Sequence, residues 1–115
     1  MSDQPIADHA LISDSHSCAL VDRAGSVEWL CFPRFDSPSI YARLLDDGGG
    51  HFSLRPRSHF TARRRYLDGT LVLVTTFESA GGAVEIIDAL AMAENVRGHR
   101  LREGSPHVLL RRVRA

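Results

Sequence analysis

The stretch Cys18-Ala-Leu-Val-Asp-Arg-Ala-Gly-Ser-Val-Glu-Trp-Leu-Cys31 decides the fold, because it predicts a β-hairpin. Two short apolar runs flank the turn residues 23–26. With Ala24-Gly25 as a two-residue loop, Leu20 faces Trp29 across the hairpin. Side chains alternate between the two faces of a strand, so one face becomes the candidate core. That predicted inner face carries Cys18, Leu20, Val27, Trp29 and Cys31.

The residues after the hairpin predict one short α-helix near residues 38–46. Two prolines stop the preceding strand, and Ser37 with Pro38 has the pattern of an N-cap followed by a first helical residue. Gly48-Gly-Gly50 would end the helix, because glycine is the usual C-terminal residue of helices. Residues three or four positions apart lie on the same face of a helix, so the predicted apolar face consists of Ile40, Tyr41, Leu44 and Leu45.

The remainder of the chain predicts further strands, with residues 93–105 as a polar loop. The strand over 71–77 is rich in β-branched residues, and its Phe77 is a third core candidate beside Trp29 and Leu20. The predicted fold is mainly β: an antiparallel β-sandwich, partial and supersandwich-like, with the one short helix. The predicted strands cover residues 51–55, 60–66, 71–77, 83–90 and 107–113.

Charge and hydropathy exclude several classes of partner. The chain has 14 acidic and 14 basic residues, so no net field draws it to nucleic acid or to an acidic membrane. Arg63-Arg-Arg65 is interpreted as a solvated strand edge. No apolar run approaches the roughly 20 residues of a membrane span, and the polar N-terminus lacks a signal pattern. We therefore expect a cytoplasmic protein that binds neither nucleic acid nor membranes.

The sequence offers no catalytic or metal site. Its six histidines lack a tight metal-ligand spacing, and no cofactor motif occurs, so we expect neither a metal nor a cofactor. The two cysteines predict a buried reduced pair. The candidates for contact with a substrate or a facing domain are Arg34, Asp36 and Ser37, on a loop held by two prolines. The alternative is that Arg34 and Asp36 satisfy each other, or that Asp36 caps the following helix.

Residues 18–39 resemble the N-terminal stretch of glycoside hydrolase family 15 proteins of the bacterial glucoamylase and trehalase type. Residues 6–12, 40–46, 65–77, 84–88 and 107–113 continue the resemblance in order. The resemblance implies an N-terminal β-sandwich followed by a catalytic α/α barrel that carries both catalytic glutamates, and nothing in this chain matches that barrel. One departure is Ala24-Gly25, where a tight turn favours Asp-Gly or Asn-Gly.

The resemblance also implies a function. We expect residues 1–115 to be a truncated, non-catalytic N-terminal domain of an α-glucosidic-bond hydrolase, inactive alone, that packs on the barrel and helps to shape it. Glucan or trehalose would be bound through the full enzyme, and the sequence does not choose between them. Two alternatives from other classes stay open: a free-standing carbohydrate-binding β-sandwich and a purely structural fragment. A binding module should expose aromatic rings on a platform, and the chain has one Trp and two Tyr.

Overall fold

The computed structural model describes residues 5–92 and 106–115, which form two four-stranded antiparallel sheets. The first sheet contains β1 (Ala10–Ser13), β2 (Cys18–Val21), β3 (Val27–Cys31) and β4 (Ser39–Tyr41), in that order. The second contains β5 (Thr61–Tyr66), β6 (Leu73–Ser79), β7 (Gly82–Leu90) and β8 (Leu109–Arg114). The mainly β, antiparallel prediction is confirmed. Within these residues no helix is long and apolar enough to cross a membrane.

The core lies between the sheets, where β1 packs against β7. Each strand presents every second side chain to this layer, as expected for two packed sheets. Phe32, Tyr41, Phe52 and Leu109 pack around the margin of the buried cluster. The buried cluster consists of Ala10, Ile12, Ala19, Val21, Val27, Leu30, Leu73 and Leu90.

The β2–β3 hairpin has the predicted Leu20–Trp29 pairing, but its loop is one residue longer than predicted. The Gly25 N–H donates to the Asp22 carbonyl at 3.1 Å, and the Asp22 N–H donates to the Ser26 carbonyl at 2.9 Å. Gly25 alone in this turn has a positive φ, of 76°. This is a type I turn followed by a left-handed glycine. Ala24 needs no positive φ here, which explains the absence of Asn or Asp.

The predicted inner face of the hairpin is correct for Val27, 0% exposed in the buried cluster, and for Cys31, 2% exposed, but it is wrong for Leu20 and Trp29. Ala19 and Val21 are 0% exposed and Leu30 is 2% exposed, and all three belong to the buried cluster. Leu20 and Trp29 are half-buried on the opposite face. Both faces of this hairpin carry apolar side chains, so alternation could not decide between them; packing against the second sheet does. Phe77, by contrast, is 1% exposed.

The predicted helix near residues 38–46 is also wrong. Ser39 and Tyr41 pair with β3 instead, opposite Cys31 and Leu30. The chain then turns, with the Ala42 N–H donating to the Gly49 carbonyl at 3.0 Å. A helix of about nine residues is marginal in water, and strand pairing to β3 satisfies the backbone better. Ile40, part of the predicted apolar face, is 51% exposed.

Two further predictions need correction. Residues 51–55 contribute only an isolated bridge between Phe52 and Val27 rather than a strand. Arg64 is not solvated: it is half-buried and donates to the carbonyls of Val21, at 3.2 Å, and Asp8. Arg63 and Arg65 are exposed as predicted, because alternate residues of β5 point away from the first sheet. The predicted loop at 93–105 lies outside the described residues.

Candidate functional site

Three segments meet at one end of the molecule. In a sheet of consecutive antiparallel strands, every second connection lies at the same end. The β1–β2 connection (14–17) and the β3–β4 connection (32–38) therefore lie together. The segment that enters β8 (106–108) joins them. We call this region the loop end; it contains the candidates Arg34, Asp36 and Ser37.

The β1–β2 connection is built around Asp14, whose side chain is 0% exposed. One carboxylate oxygen, Oδ1, accepts hydrogen bonds from the backbone N–H groups of His16 at 2.9 Å and Ser17 at 2.8 Å. This is an Asx turn, the local structure that aspartate favours. Ser13 Oγ donates to the Ser17 carbonyl at 2.7 Å. The turn thereby holds His16 in one position at the loop end.

The Pro33–Ser37 loop is tied to that turn, because the Phe35 N–H donates to the His16 carbonyl at 3.0 Å. Ser37 does not cap a helix. Its hydroxyl accepts from the Arg34 N–H at 3.0 Å, and its own N–H donates back to the Arg34 carbonyl at 3.1 Å. Arg34 Nε lies 3.3 Å from Asp36 Oδ1, on side chains that are 70% and 76% exposed. The two charges thus satisfy each other while both stay accessible.

The loop end also gathers a group of rings that the sequence reasoning did not bring together. His107 Nδ1 lies 3.9 Å from Asp14 Oδ2. Its ring meets the His16 ring edge-on, with centroids 5.7 Å apart, and lies 6.0 Å from the ring of Phe32. His16 Nε2 is buried and has no hydrogen-bond partner in the described part of the chain. The sequence spacing 14–16 was visible, but only folding brings His107 beside it.

A surface cavity of about 500 Å³ opens between the two loops, lined by Ser15, His16, Arg34 and Phe35. Phe35 is 58% exposed. An open aromatic ring beside a guanidinium and a hydroxyl suits the polar and apolar faces of a sugar or of a facing domain. Of the nearby carboxylates, Asp14 is engaged in its turn and Asp36 in an ion pair, whereas glycoside hydrolysis uses two carboxylates that flank the substrate.

Other reactive groups near the loop end are not arranged for catalysis. Cys18 and Cys31 are both free thiols. Burial raises the pKa of Cys18, and the neighbouring Cys31 and Asp14 raise it further; burial alone raises the pKa of Cys31. A raised pKa keeps a thiol protonated and unreactive at neutral pH. In residues 5–92 and 106–115, no three His, Cys, Asp or Glu side chains are grouped to hold a metal ion.

The comparisons with known proteins agree on one family. The profile of the "Trehalase-like, N-terminal" family matches residues 1–102. The trehalase of Mycolicibacterium smegmatis is 44% identical over 120 residues, which cover 96% of this chain and 18% of that protein. The trehalase of Mycobacterium tuberculosis is 42% identical over 120 residues, with the same two coverages. Trehalase 1 of Sulfolobus acidocaldarius is 44% identical over 96 residues, covering 83% of this chain and 17% of that protein.

No solved structure matches the chain. The chain spans less than a fifth of the length of the curated trehalases that it matches, at 18% for the two mycobacterial proteins. Nearly all of its own length is nevertheless covered by them, and the family profile covers far more than half of it. The chain therefore belongs to the trehalase-like N-terminal domain family.

Proposed function

We propose that this chain is the non-catalytic N-terminal domain of an α-glucosidic-bond hydrolase of the trehalase type, and that it packs on a catalytic domain and helps to shape it. The observation that carries the proposal is the pair of coverages: 96% of this chain aligns with a protein named trehalase, of which it represents 18%. The remaining length of that relative leaves ample room for a catalytic domain. A place in glycoside hydrolase family 15, with an α/α barrel as the catalytic partner, is part of the proposal.

The loop end is the surface that we propose faces the catalytic domain. The Pro33–Ser37 loop is held by three backbone or hydroxyl hydrogen bonds, so it loses little further freedom on binding. Arg34 and Asp36 are exposed and charged, and Phe35 adds an open ring between them. Such residues support either interdomain hydrogen bonds or contact with a bound sugar at the domain boundary.

A second candidate function is a free-standing carbohydrate-binding module. The observation that favours it is the exposed Phe35 ring beside the 500 Å³ cavity, since sugars stack on open aromatic rings. Against a flat aromatic platform stands Trp29, which is half-buried in the first sheet. Binding of maltose or trehalose by the 115-residue chain alone would favour this second function.

A chimera tests the proposed function. Residues 1–115 replace the matching N-terminal region of the Mycolicibacterium smegmatis trehalase, and hydrolysis of trehalose and maltose is measured. We expect the chimera to hydrolyse trehalose and the same enzyme without any N-terminal domain to lose activity. A deleted enzyme as active as the chimera would refute a shaping role.

A double variant of the chimera then tests the loop end. Arg34→Ala/Asp36→Ala should lower kcat/KM by about tenfold, the value of one charge-assisted hydrogen bond, with little change in melting temperature. The matched control is Arg23→Ala/Asp8→Ala, which removes another surface ion pair, of 3.0 Å, from the opposite end of the hairpin. A role confined to the loop itself predicts the reverse: a lower melting temperature with unchanged kinetics.

A further inference from the structure

The second sheet has a face that points away from the first sheet, and its residues are arranged in cross-strand rows. Asp88 and Arg111 point inward, because Arg111 contacts Gly25 and Phe52 of the first half of the chain. Their neighbours in β7 and β8 must point outward. One outward row runs Arg65, Val74, Ile87, Arg112, and the next runs Arg63, Thr76, Glu85, Arg114.

Arginine therefore lines both margins of this outer face, which we call the arginine face. Arg63 pairs with Glu78 at 3.0 Å, and Arg114 pairs with Glu85 at 2.5 Å. Arg65 and Arg112 are exposed, and neither has a carboxylate partner among the residues that the structure describes. Since three strand intervals separate β5 from β8, these two guanidinium-bearing strands lie about 14 Å apart.

Between the two margins, the row that ends in Arg65 and Arg112 is apolar, with Val74 and Ile87, whereas the next row is polar, with Thr76 and Glu85. Val74 is 2% exposed, and Ile87 and Ala89 are partly buried. Leu110, opposite Ala89, is 52% exposed. A shallow cavity of about 340 Å³ lies over Val74 and Thr76. An outer face of a two-layer sandwich is ordinarily polar, so an apolar row between cationic margins has the composition of a protein interface.

We propose that the arginine face docks an acidic amphipathic helix from the longer polypeptide of which this domain forms the N-terminal part. The proposal rests on the proposed function for the source of that helix. A helix about 10 Å in diameter fits between arginine strands about 14 Å apart. Its apolar stripe covers Ile87 and Leu110, while carboxylates on its two flanks reach Arg65 and Arg112. The helix becomes a third layer on the sandwich.

Charge and chemistry favour a protein segment over nucleic acid. Glu78 and Glu85 lie on the same face, and they would repel a phosphate backbone if their arginine partners were diverted to it. The chain as a whole has a net charge of zero. No aromatic side chain occurs in the two outward rows, so unpaired bases have nothing to stack on.

A designed peptide tests the surface. The probe is an amphipathic helix of about 15 residues, roughly 22 Å long, with a leucine stripe flanked by glutamates. Its control has glutamine in place of every glutamate, and a DNA duplex of equal charge is a third probe. We expect Arg65→Gln/Arg112→Gln to weaken binding of the acidic peptide by about tenfold or more, as loss of charge-assisted contacts does. The matched control variant is Arg55→Gln/Arg57→Gln, two exposed arginines outside the sheets, which should bind normally.

Three outcomes would overturn the inference. The glutamine peptide binds as tightly as the acidic peptide, the DNA duplex binds as tightly as the acidic peptide, or the two double variants bind the acidic peptide with equal affinity. Circular dichroism of each variant confirms that the fold is retained.

Arginine footprinting with phenylglyoxal tests the source of the helix. In the chimera described above, Arg65 and Arg112 should be labelled more slowly than in the isolated chain, whereas Arg57 is labelled equally in both. Equal labelling of Arg65 and Arg112 in the two proteins would show that the longer polypeptide does not cover this face. Footprinting does not depend on catalysis, so an inactive chimera would count against the proposed function without deciding this result.

Discussion

The side chain of Arg111 is 3% exposed and carries its charge into the interior, where it joins β8 to the first half of the chain. Its Nε donates to Asp88 at 2.7 Å, its Nη1 to the Phe52 carbonyl at 2.8 Å, and its Nη2 to the Gly25 carbonyl. The guanidinium also lies 4.8 Å from the centre of the Phe52 ring. Nearly every donor of the group is satisfied, which is the condition under which a buried charge is tolerated.

Arg111→Met should destabilise the protein by about 3–5 kcal/mol at pH 7, because it leaves the Asp88 carboxylate buried without its partner. Burial raises the pKa of Asp88 above its ordinary value of 3.8, while the hydrogen bond and charge of Arg111 oppose the rise. The folded protein therefore binds this proton more tightly than the unfolded chain. The stability that protonation of Asp88 contributes is complete below pH 3.8 and is lost as the pH rises through the raised pKa.

The destabilisation by Arg111→Met should consequently be largest at neutral pH and smaller near pH 4, because the raised pKa of Asp88 favours its protonation there and protonation removes the bare charge. Urea denaturation at the two pH values measures this difference. Arg112→Met is the control: it lies next along β8, points outward, and should change stability by less than about 0.5 kcal/mol. A cost for Arg111→Met that is equal at both pH values would contradict the role given to Asp88.

Gly25 is the second position where a single substitution should change the stability of the protein strongly. Its φ is 76°, and an added Cβ would lie 3.1 Å from Cζ of Phe77. Phe77 is buried and stacks edge-on against Phe60, with ring centroids 5.1 Å apart, so it cannot readily move aside. The turn of the first sheet thus rests directly on the core of the second.

Gly25→Ala should therefore destabilise the protein by more than the strain of a left-handed backbone accounts for. Gly69 provides the comparison, because its φ is 70° and nothing lies within 4 Å of its added Cβ. Gly69→Ala should cost about 1–2 kcal/mol for the left-handed backbone. Gly25→Ala should cost about 1–3 kcal/mol more, the price of overpacking against Phe77. Thermal denaturation of both variants measures the two losses of stability. Equal losses would contradict the overpacking, because they would show that the Phe77 ring moves aside.

At the scale of elements, the second sheet protects an edge of the first. β1 is an edge strand, and its Leu11 would otherwise leave both backbone groups without a protein partner. Tyr66, the last residue of β5, places its hydroxyl there: it accepts from the Leu11 N–H at 2.9 Å and donates to the Leu11 carbonyl at 2.8 Å. The Tyr66 side chain thus supplies the edge of β1 with the hydrogen bonds that a neighbouring strand would supply.

Tyr66→Phe removes both hydrogen bonds and keeps the ring. Water can replace the hydroxyl at this exposed site, so the expected loss of stability is only about 0.5–1.5 kcal/mol. The specific effect is local: the Leu11 amide should exchange its hydrogen faster, while the Val27 amide, bonded to Phe52 at 2.8 Å, should be unaffected. Hydrogen exchange followed by NMR measures both amides. Unchanged exchange at Leu11 would show that Tyr66 does not guard this edge.

At the scale of the whole molecule, the loop end and the arginine face are two separate surfaces of one sandwich. Each has an exposed apolar side chain beside charged ones: Phe35 at 58% and Leu110 at 52% exposure. A domain with two such surfaces is consistent with the proposed role within a larger protein. The exposed carboxylates of these surfaces are engaged in ion pairs, Asp36 at the loop end and Glu78 and Glu85 on the arginine face, and glycosidic hydrolysis needs a pair that faces a substrate.

The isolated chain should accordingly release no glucose from trehalose or maltose. The measurement is a coupled glucose assay on the purified 115-residue protein, with the chimera as the positive control. Activity that copurifies with the folded chain and persists in Arg34→Ala/Asp36→Ala would place catalytic groups elsewhere in it. Activity above background in any form of the isolated chain would contradict the non-catalytic role.

The sequence by itself determined the class of fold, the β2–β3 pairing and the family. These depend on local alternation, on turn residues and on an ordered set of motifs, all of which are readable along the chain. The Leu20–Trp29 pair followed from this, and so did the outward position of Arg63 and Arg65. Local rules do not say which apolar face is buried deeper. In this hairpin the deeply buried side chains include Ala19, Val21 and Leu30.

Tertiary structure decided the rest, because the deciding partners are distant in sequence. Residues 39–41 became β4 rather than a helix because the edge of β3 was available to pair with them. Arg64 turned inward because carbonyls of Asp8 and Val21 lay within its reach. The approach of His107 to Asp14, and that of Arg111 to Gly25, span most of the chain. No local pattern encodes such contacts; they form because two sheets, once packed, must satisfy the polar groups that they bury.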